Sequence, residues 1–101
     1  MIKRIVKLTL RPETISEFLA DFEIVKNKIR GREGCHHLEL WRGVNDSNIL
    51  FTYSYWESQE ALNAYRHSDL FKGVWKKTKA KFAEKAEAWS VEVLSEAGEG
   101  E

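Results

Sequence analysis

The sequence predicts a single α+β domain of the ferredoxin-like kind: a four-stranded antiparallel sheet with its helices on one face, in the order βαββαβ. Three observations predict it. Period-2 alternation of apolar and polar residues occurs near both ends and twice in the middle of the chain, segments with helical spacing separate these runs, and 101 residues leave room for one core.

Ile2 to Leu10 alternate as a half-buried strand, with Ile2, Arg4, Val6, Leu8 and Leu10 on one side and Lys3, Ile5, Lys7 and Thr9 on the other. Pro12 suits the first turn of a helix, and Thr14 with Glu17 matches the capping-box spacing. Ile15, Phe18, Leu19, Phe22, Val25 and Ile29 then repeat at helical intervals up to Gly31 and Gly34. Cys35 to Arg42 and Asn48 to Trp56 read as two strands joined by a Gly43 to Ser47 hairpin loop.

Ser58 is placed to cap a short helix through Arg66, and Ser68 or Asp69 to cap a longer one. The longer helix carries Leu70, Phe71, Val74, Trp75, Thr78 and Phe82 as one stripe, leaving Lys76, Lys77, Lys79, Lys81 and Lys85 as a solvated face. Trp89, Val91 and Val93 form the last strand. The domain thus spans residues 1–94, and 95–101 reads as an acidic, flexible tail.

Lysine plus arginine equals aspartate plus glutamate at 16 each, so no global field draws in nucleic acid or an anionic membrane. The Lys/Arg-Gly-Phe/Tyr-Gly/Ala-Phe signature of RNA-recognition modules does not occur. No apolar run approaches the ~18 residues of a membrane span, and Met1 to Lys7 lacks the apolar core of a secretory signal. A cytoplasmic location is the expectation. One cysteine, Cys35, cannot form an intrachain disulfide.

Twelve per cent aromatic residues, four of them tryptophans, is a heavy load for a small core. Helices cover one face of a four-stranded sheet, yet alternation puts bulky groups on both: Phe51, Tyr53 and Tyr55 face one way and Trp56 the other. A second copy packed through the open face would cover the remainder, giving a homodimer with Trp41, Phe51, Tyr53, Tyr55 and Trp89 in its interface.

Three stretches carry more specific information: Gly34-Cys35-His36-His37-Leu38-Glu39-Leu40-Trp41-Arg42, Phe51-Thr52-Tyr53-Ser54-Tyr55-Trp56-Glu57-Ser58, and His67-Ser68-Asp69-Leu70-Phe71. Together they resemble the antibiotic biosynthesis monooxygenase family over about residues 2 to 94. The resemblance implies a dimeric α+β barrel with a pocket between each sheet and its helices. It also implies oxidation of a small aromatic or quinol-type compound by molecular oxygen, with no metal, flavin or other cofactor. A haem-degrading branch shares the Ser68-Asp69-Leu70-Phe71-Lys72 run. In that branch an iron-ligating histidine corresponds to Trp75, a pocket asparagine to Val6 and a pocket tryptophan to Tyr65. Indole nitrogen is only a donor, so these departures argue against haem breakdown.

Within the resemblance, His67 falls at the pocket mouth, where a neutral imidazole could take a proton from an acidic phenol; a helix-capping or solvated histidine is the other reading. Trp56, Tyr65, Phe71 and Trp75, with Phe22, could line a flat cavity for an aromatic substrate, and the same spacing also describes a filled core. His37 is expected on one strand face with Cys35 and Glu39, as a substrate contact rather than a metal ligand. The alternative to an enzyme is a dimeric small-molecule-binding or stress-associated protein without turnover.

Overall fold

The computed structural model describes residues 1–98 and shows the ferredoxin-like α+β fold. Strand β1 (Ile2–Thr9) leads through a 3-10 turn, Pro12–Thr14, into α1 (Ile15–Arg30). Strands β2 (Cys35–Arg42) and β3 (Ile49–Trp56) form a hairpin, followed by α2 (Gln59–Arg66), α3 (Asp69–Lys79) and β4 (Glu87–Val91). The sheet order is β2-β3-β1-β4, every neighbour antiparallel. Residues 95–98 of the expected tail are exposed and form neither helix nor strand, and its last three residues lie outside the described residues.

Pairing of β1 with β3 runs without interruption from Ile2 opposite Trp56 to Thr9 opposite Ile49. Val6, Leu8 and Leu10 therefore point towards the helices beside Leu50, and with Phe18 they form the main core. Leu10 is wholly buried and Leu50 is 1% exposed. A second cluster of Cys35, Trp56 and Leu62 fills the space where α2 meets the start of β2.

Five local expectations change. The last strand ends at Val91, opposite Lys3, so Val93 lies beyond it. Thr14 does not cap α1: its backbone is already helical because the 3-10 turn precedes it, and its hydroxyl donates instead to the Arg11 carbonyl at 2.7 Å. A capping side chain needs extended backbone at that position. The last helix stops at Lys79, short of Phe82, because the chain turns and Phe82 bridges back to Leu10. That turn draws Lys81 out of the solvated face, buries it, and sets its Nζ 3.3 Å from Asp21 and 3.0 Å from the Lys77 carbonyl. A bulge at His36 sends Cys35 to the helix side, while His37 and Glu39 share the open side, so the three do not share a face.

The caps at Ser58 and Ser68 form as expected, their hydroxyls accepting from the Ala61 and Phe71 amides at 3.1 and 3.2 Å. Gly34, with φ of 83°, brings the chain out of α1 and lets α2 approach; its carbonyl accepts from the Glu57 amide at 2.7 Å. A Cβ there would stand 2.5 Å from the Ala61 Cβ, whereas one on Gly73 would meet nothing within 4 Å. Gly34→Ala is therefore expected to lower stability by about 2–4 kcal/mol from left-handed strain and overpacking together. Gly73→Ala should raise it by about 0.5–1 kcal/mol. Urea unfolding midpoints of the two variants check both signs.

Candidate functional site

Between the helix side of the sheet and the three helices lies a cavity of about 320 Å³. It exists because several inward positions of the strands beneath the helices are small. Thr52 and Ser54 on β3, Ala88 on β4 and Ala86 before it leave a floor that the large side chains above do not reach down to fill. This volume is at the lower end of the roughly 300–1,000 Å³ of small-molecule sites.

The four aromatic residues expected to line a pocket are all in its wall, and Phe22 of α1 joins them. Trp56 stacks on Tyr65 with centroids 5.0 Å apart, Tyr65 meets Phe71 edge-on at 5.2 Å, and Phe71 stacks on Trp75 at 5.8 Å. Phe82 closes the series against Trp75 at 5.5 Å. Helical spacing supplies Phe71 and Trp75 from adjacent turns of α3, and the Ser68 cap fixes where that helix begins. Trp56 is 1% exposed, and its indole N–H donates to the Ser54 hydroxyl at 2.9 Å, which leaves the ring one orientation.

The two histidines named from the sequence lie elsewhere. His67 is exposed at the C-terminus of α2, where its Nδ1–H donates to the Asn63 carbonyl at 2.7 Å, and it does not line the cavity. His37 stands on the opposite side of the sheet, between Tyr53 and Tyr55 and in contact with the Glu39 carboxylate. Among the described residues no three histidine, cysteine or carboxylate side chains come together as a metal site. Burial pushes the Cys35 thiol up, which leaves it protonated and inert at neutral pH.

Two residues at the site were not singled out from the sequence. Arg4 enters the cavity from β1 and Arg66 from the end of α2. Arg4 donates to the Ser90 hydroxyl at 3.0 Å, and burial lowers its affinity for its proton, with the neighbouring Arg66 charge adding to the effect. A charge at an inward position of an otherwise apolar strand face was the available signal for Arg4. Arg66 had none, because a terminal helix arginine is ordinary.

Burial also pushes the Tyr65 hydroxyl up to about 12. In the unfolded chain it ionises near 10, so the folded form holds the proton more tightly and the stability this gives is lost as pH rises from about 10 to 12. Tyr65→Phe is expected to flatten that alkaline loss, read as the change of unfolding midpoint between pH 9 and pH 11.5.

Solved structures share this architecture. A protein described as an antibiotic biosynthesis monooxygenase superimposes with a TM-score of 0.87 at 18% identity, covering 94% of this chain and all of that one. A conserved protein from Methanosarcina mazei Go1 gives 0.85 at 20% identity, with 89% of each chain covered. A Mycobacterium tuberculosis protein gives 0.85 at 18%, covering 96% of this chain and 98% of its own. At such identities the likeness shows the fold. None of the curated proteins matches the chain. The family model for antibiotic biosynthesis monooxygenase matches residues 1–77, most of the chain and the larger part of the cavity wall. The chain belongs to the antibiotic biosynthesis monooxygenase family.

Proposed function

We propose that the protein is a homodimeric, cofactor-independent monooxygenase that oxidises a small aromatic or quinol-type compound with molecular oxygen. The observation that carries this reading is the unbroken series of rings from Trp56 to Trp75 along one cavity wall, a surface suited to a flat apolar molecule. Membership of the family supplies the reaction class.

The chemistry needs an electron-rich ring more than it needs a protein nucleophile. An ionised substrate passes one electron to O2, and the resulting radical and superoxide join through a carbon–oxygen bond. The peroxide anion so formed takes up a proton, and the hydroperoxide then loses water, its C–H and O–O bonds breaking, to leave a carbonyl. In sum, a CH2 group and O2 become C=O and H2O. Trp56, Tyr65, Phe71 and Trp75 hold the ring and exclude bulk water. His67 does not border the cavity, so we give it the capping role that its bond to Asn63 describes. Haem breakdown is not favoured, since the cavity-lining Trp75 stands where the resemblance puts the haem-degrading branch's ligating histidine, and an indole nitrogen only donates.

One observation favours the second reading, a binding protein without turnover: among the described residues, no imidazole or carboxylate lines the cavity to act as a base.

Pairing of two copies is supported by the open sheet face, where Trp41, Phe51, Tyr53, Tyr55 and Trp89 all point. Trp41 remains 38% and Trp89 44% exposed, which is wasteful for such large apolar rings in a lone chain. A second copy of the chain, packed about a two-fold axis, would cover these rings. The protein is set in the cytoplasm in this reading, and no described helix is long and apolar enough to cross a membrane.

Stoichiometric oxygen uptake with anthrone-like or juglone-like compounds tests the enzyme reading. Uptake should be lost in Trp75→Ala and kept in His67→Ala. Loss in a folded His67→Ala protein would return the base role to that ring, and binding without uptake across the panel would favour the second reading. In sedimentation, the protein should run as twice its 11.8 kDa chain mass, and Trp41→Glu should shift it to the monomer.

A further inference from the structure

We propose that Arg4 and Arg66 form an oxyanion-binding end of the cavity, so that the substrate is a flat aromatic compound held in ionised form through a phenolate or carboxylate oxygen. This rests on the cavity being the substrate site. Arg4 projects from β1 at the position paired with Ser54 on one side and Ser90 on the other, and its half-buried side chain borders the cavity. Arg66 reaches the same cavity from the last turn of α2, where it is exposed.

Neither guanidinium has a carboxylate partner among the described residues. The ion pairs formed there belong to Lys7, Arg11, Lys26, His37 and Lys81. Arg4 has one neutral partner, the Ser90 hydroxyl, which satisfies a donor and leaves the charge uncompensated. Of all the side chains that border the cavity from the sheet and the three helices, only Arg4, Arg66 and Tyr65 ionise, and Tyr65 stays neutral at physiological pH.

Two cations beside one apolar space without an anion repel each other, Arg4 from a half-buried position and Arg66 from an exposed one. An oxyanion entering between them offsets that repulsion, and the guanidinium fork suits two oxygens or one shared oxygen. The arrangement also answers the missing base. A phenol bound against two positive charges gives its proton to water more readily, and its oxygen remains as the electron-rich anion that reacts with O2.

The probes are naphthalene, 2-naphthol and 2-naphthoate, titrated into the protein at pH 7 with tryptophan fluorescence as the readout, since Trp56 and Trp75 border the site. 2-Naphthoate is expected to bind at least tenfold more tightly than naphthalene and to weaken as salt is raised. Arg4→Gln should reduce naphthoate affinity by about 10- to 100-fold and leave naphthalene unchanged. Arg66→Gln, at the wetter end, should show a smaller loss of the same kind. Absorbance of bound 2-naphthol should show its ionisation midpoint lowered by about one to three pH units from the free value.

Arg66→Gln and the salt titration of the unaltered protein stand even where Arg4→Gln fails to fold. Equal affinity for naphthalene and naphthoate, with no response to either arginine, would overturn the oxyanion end while leaving an aromatic cavity. An unlowered naphthol midpoint with tight naphthoate binding restricts the anion to carboxylate. No binding of any probe would sink both the oxyanion end and the cavity as substrate site.

Discussion

The pairing of β1 with β3 governs the placement of almost every residue discussed above. These are the two central strands, and their register sets Arg4 opposite Ser54, Val6 opposite Thr52 and Leu8 opposite Leu50, all on the side that the helices cover. The alternate positions set Lys3, Ile5 and Lys7 beside Tyr55, Tyr53 and Phe51 on the open side. A slip of one residue would exchange the two sets, because side chains alternate along a strand. Burial of Leu8, Leu10 and Leu50 against Phe18 makes that slip prohibitive, and the same contacts therefore determine both the cavity and the open face.

The cavity is a consequence of uneven side-chain size within this register. Near the end of β1 the inward residues are large and meet α1 directly, forming a solid core. Towards the start of β1 they give way to Arg4 with its neighbours Ser54 and Ser90, and the aromatic rings of α2 and α3 span the space instead of filling it. Gly34 and the two serine caps hold α2 and α3 at the angle that puts Tyr65, Phe71 and Trp75 in one series. The space is thus a partly open cleft walled by stacked rings and bordered by two cations.

The open face is equally ordered. Trp41 stacks on Tyr53 with centroids 4.5 Å apart, and its indole N–H donates to Glu39 at 2.8 Å. The Lys3 ammonium sits 4.4 Å from the centre of the Tyr55 ring, and hydrogen bonds with Tyr53 and then Tyr55 make it hold its proton more tightly. Hydrogen bonds from Trp41 and then His37 lower the Glu39 carboxyl below its usual range. Rings and charges arranged in this way give a surface a definite shape, which is what a partner of fixed geometry requires.

The sequence by itself determined what depends on near neighbours: the strand and helix order, the Ser58 cap, a second cap at Ser68 or Asp69, and the split of aromatic residues between the two faces of the sheet. Each follows from a period of 2 or 3.6 residues or from a side chain bonding three residues along. The bulge at His36, the turn that buries Lys81, and the end of α3 at Lys79 depend on β2 meeting β3 and on Phe82 meeting Leu10. Arg4 and Arg66 are 62 positions apart, and only the packing of α2 against β3, the strand beside β1, brings them to one cavity while leaving His67, the next residue, outside it. Adjacent residues on a helix point about 100° apart, so the chain alone named the junction, and packing chose which of its side chains faces the site.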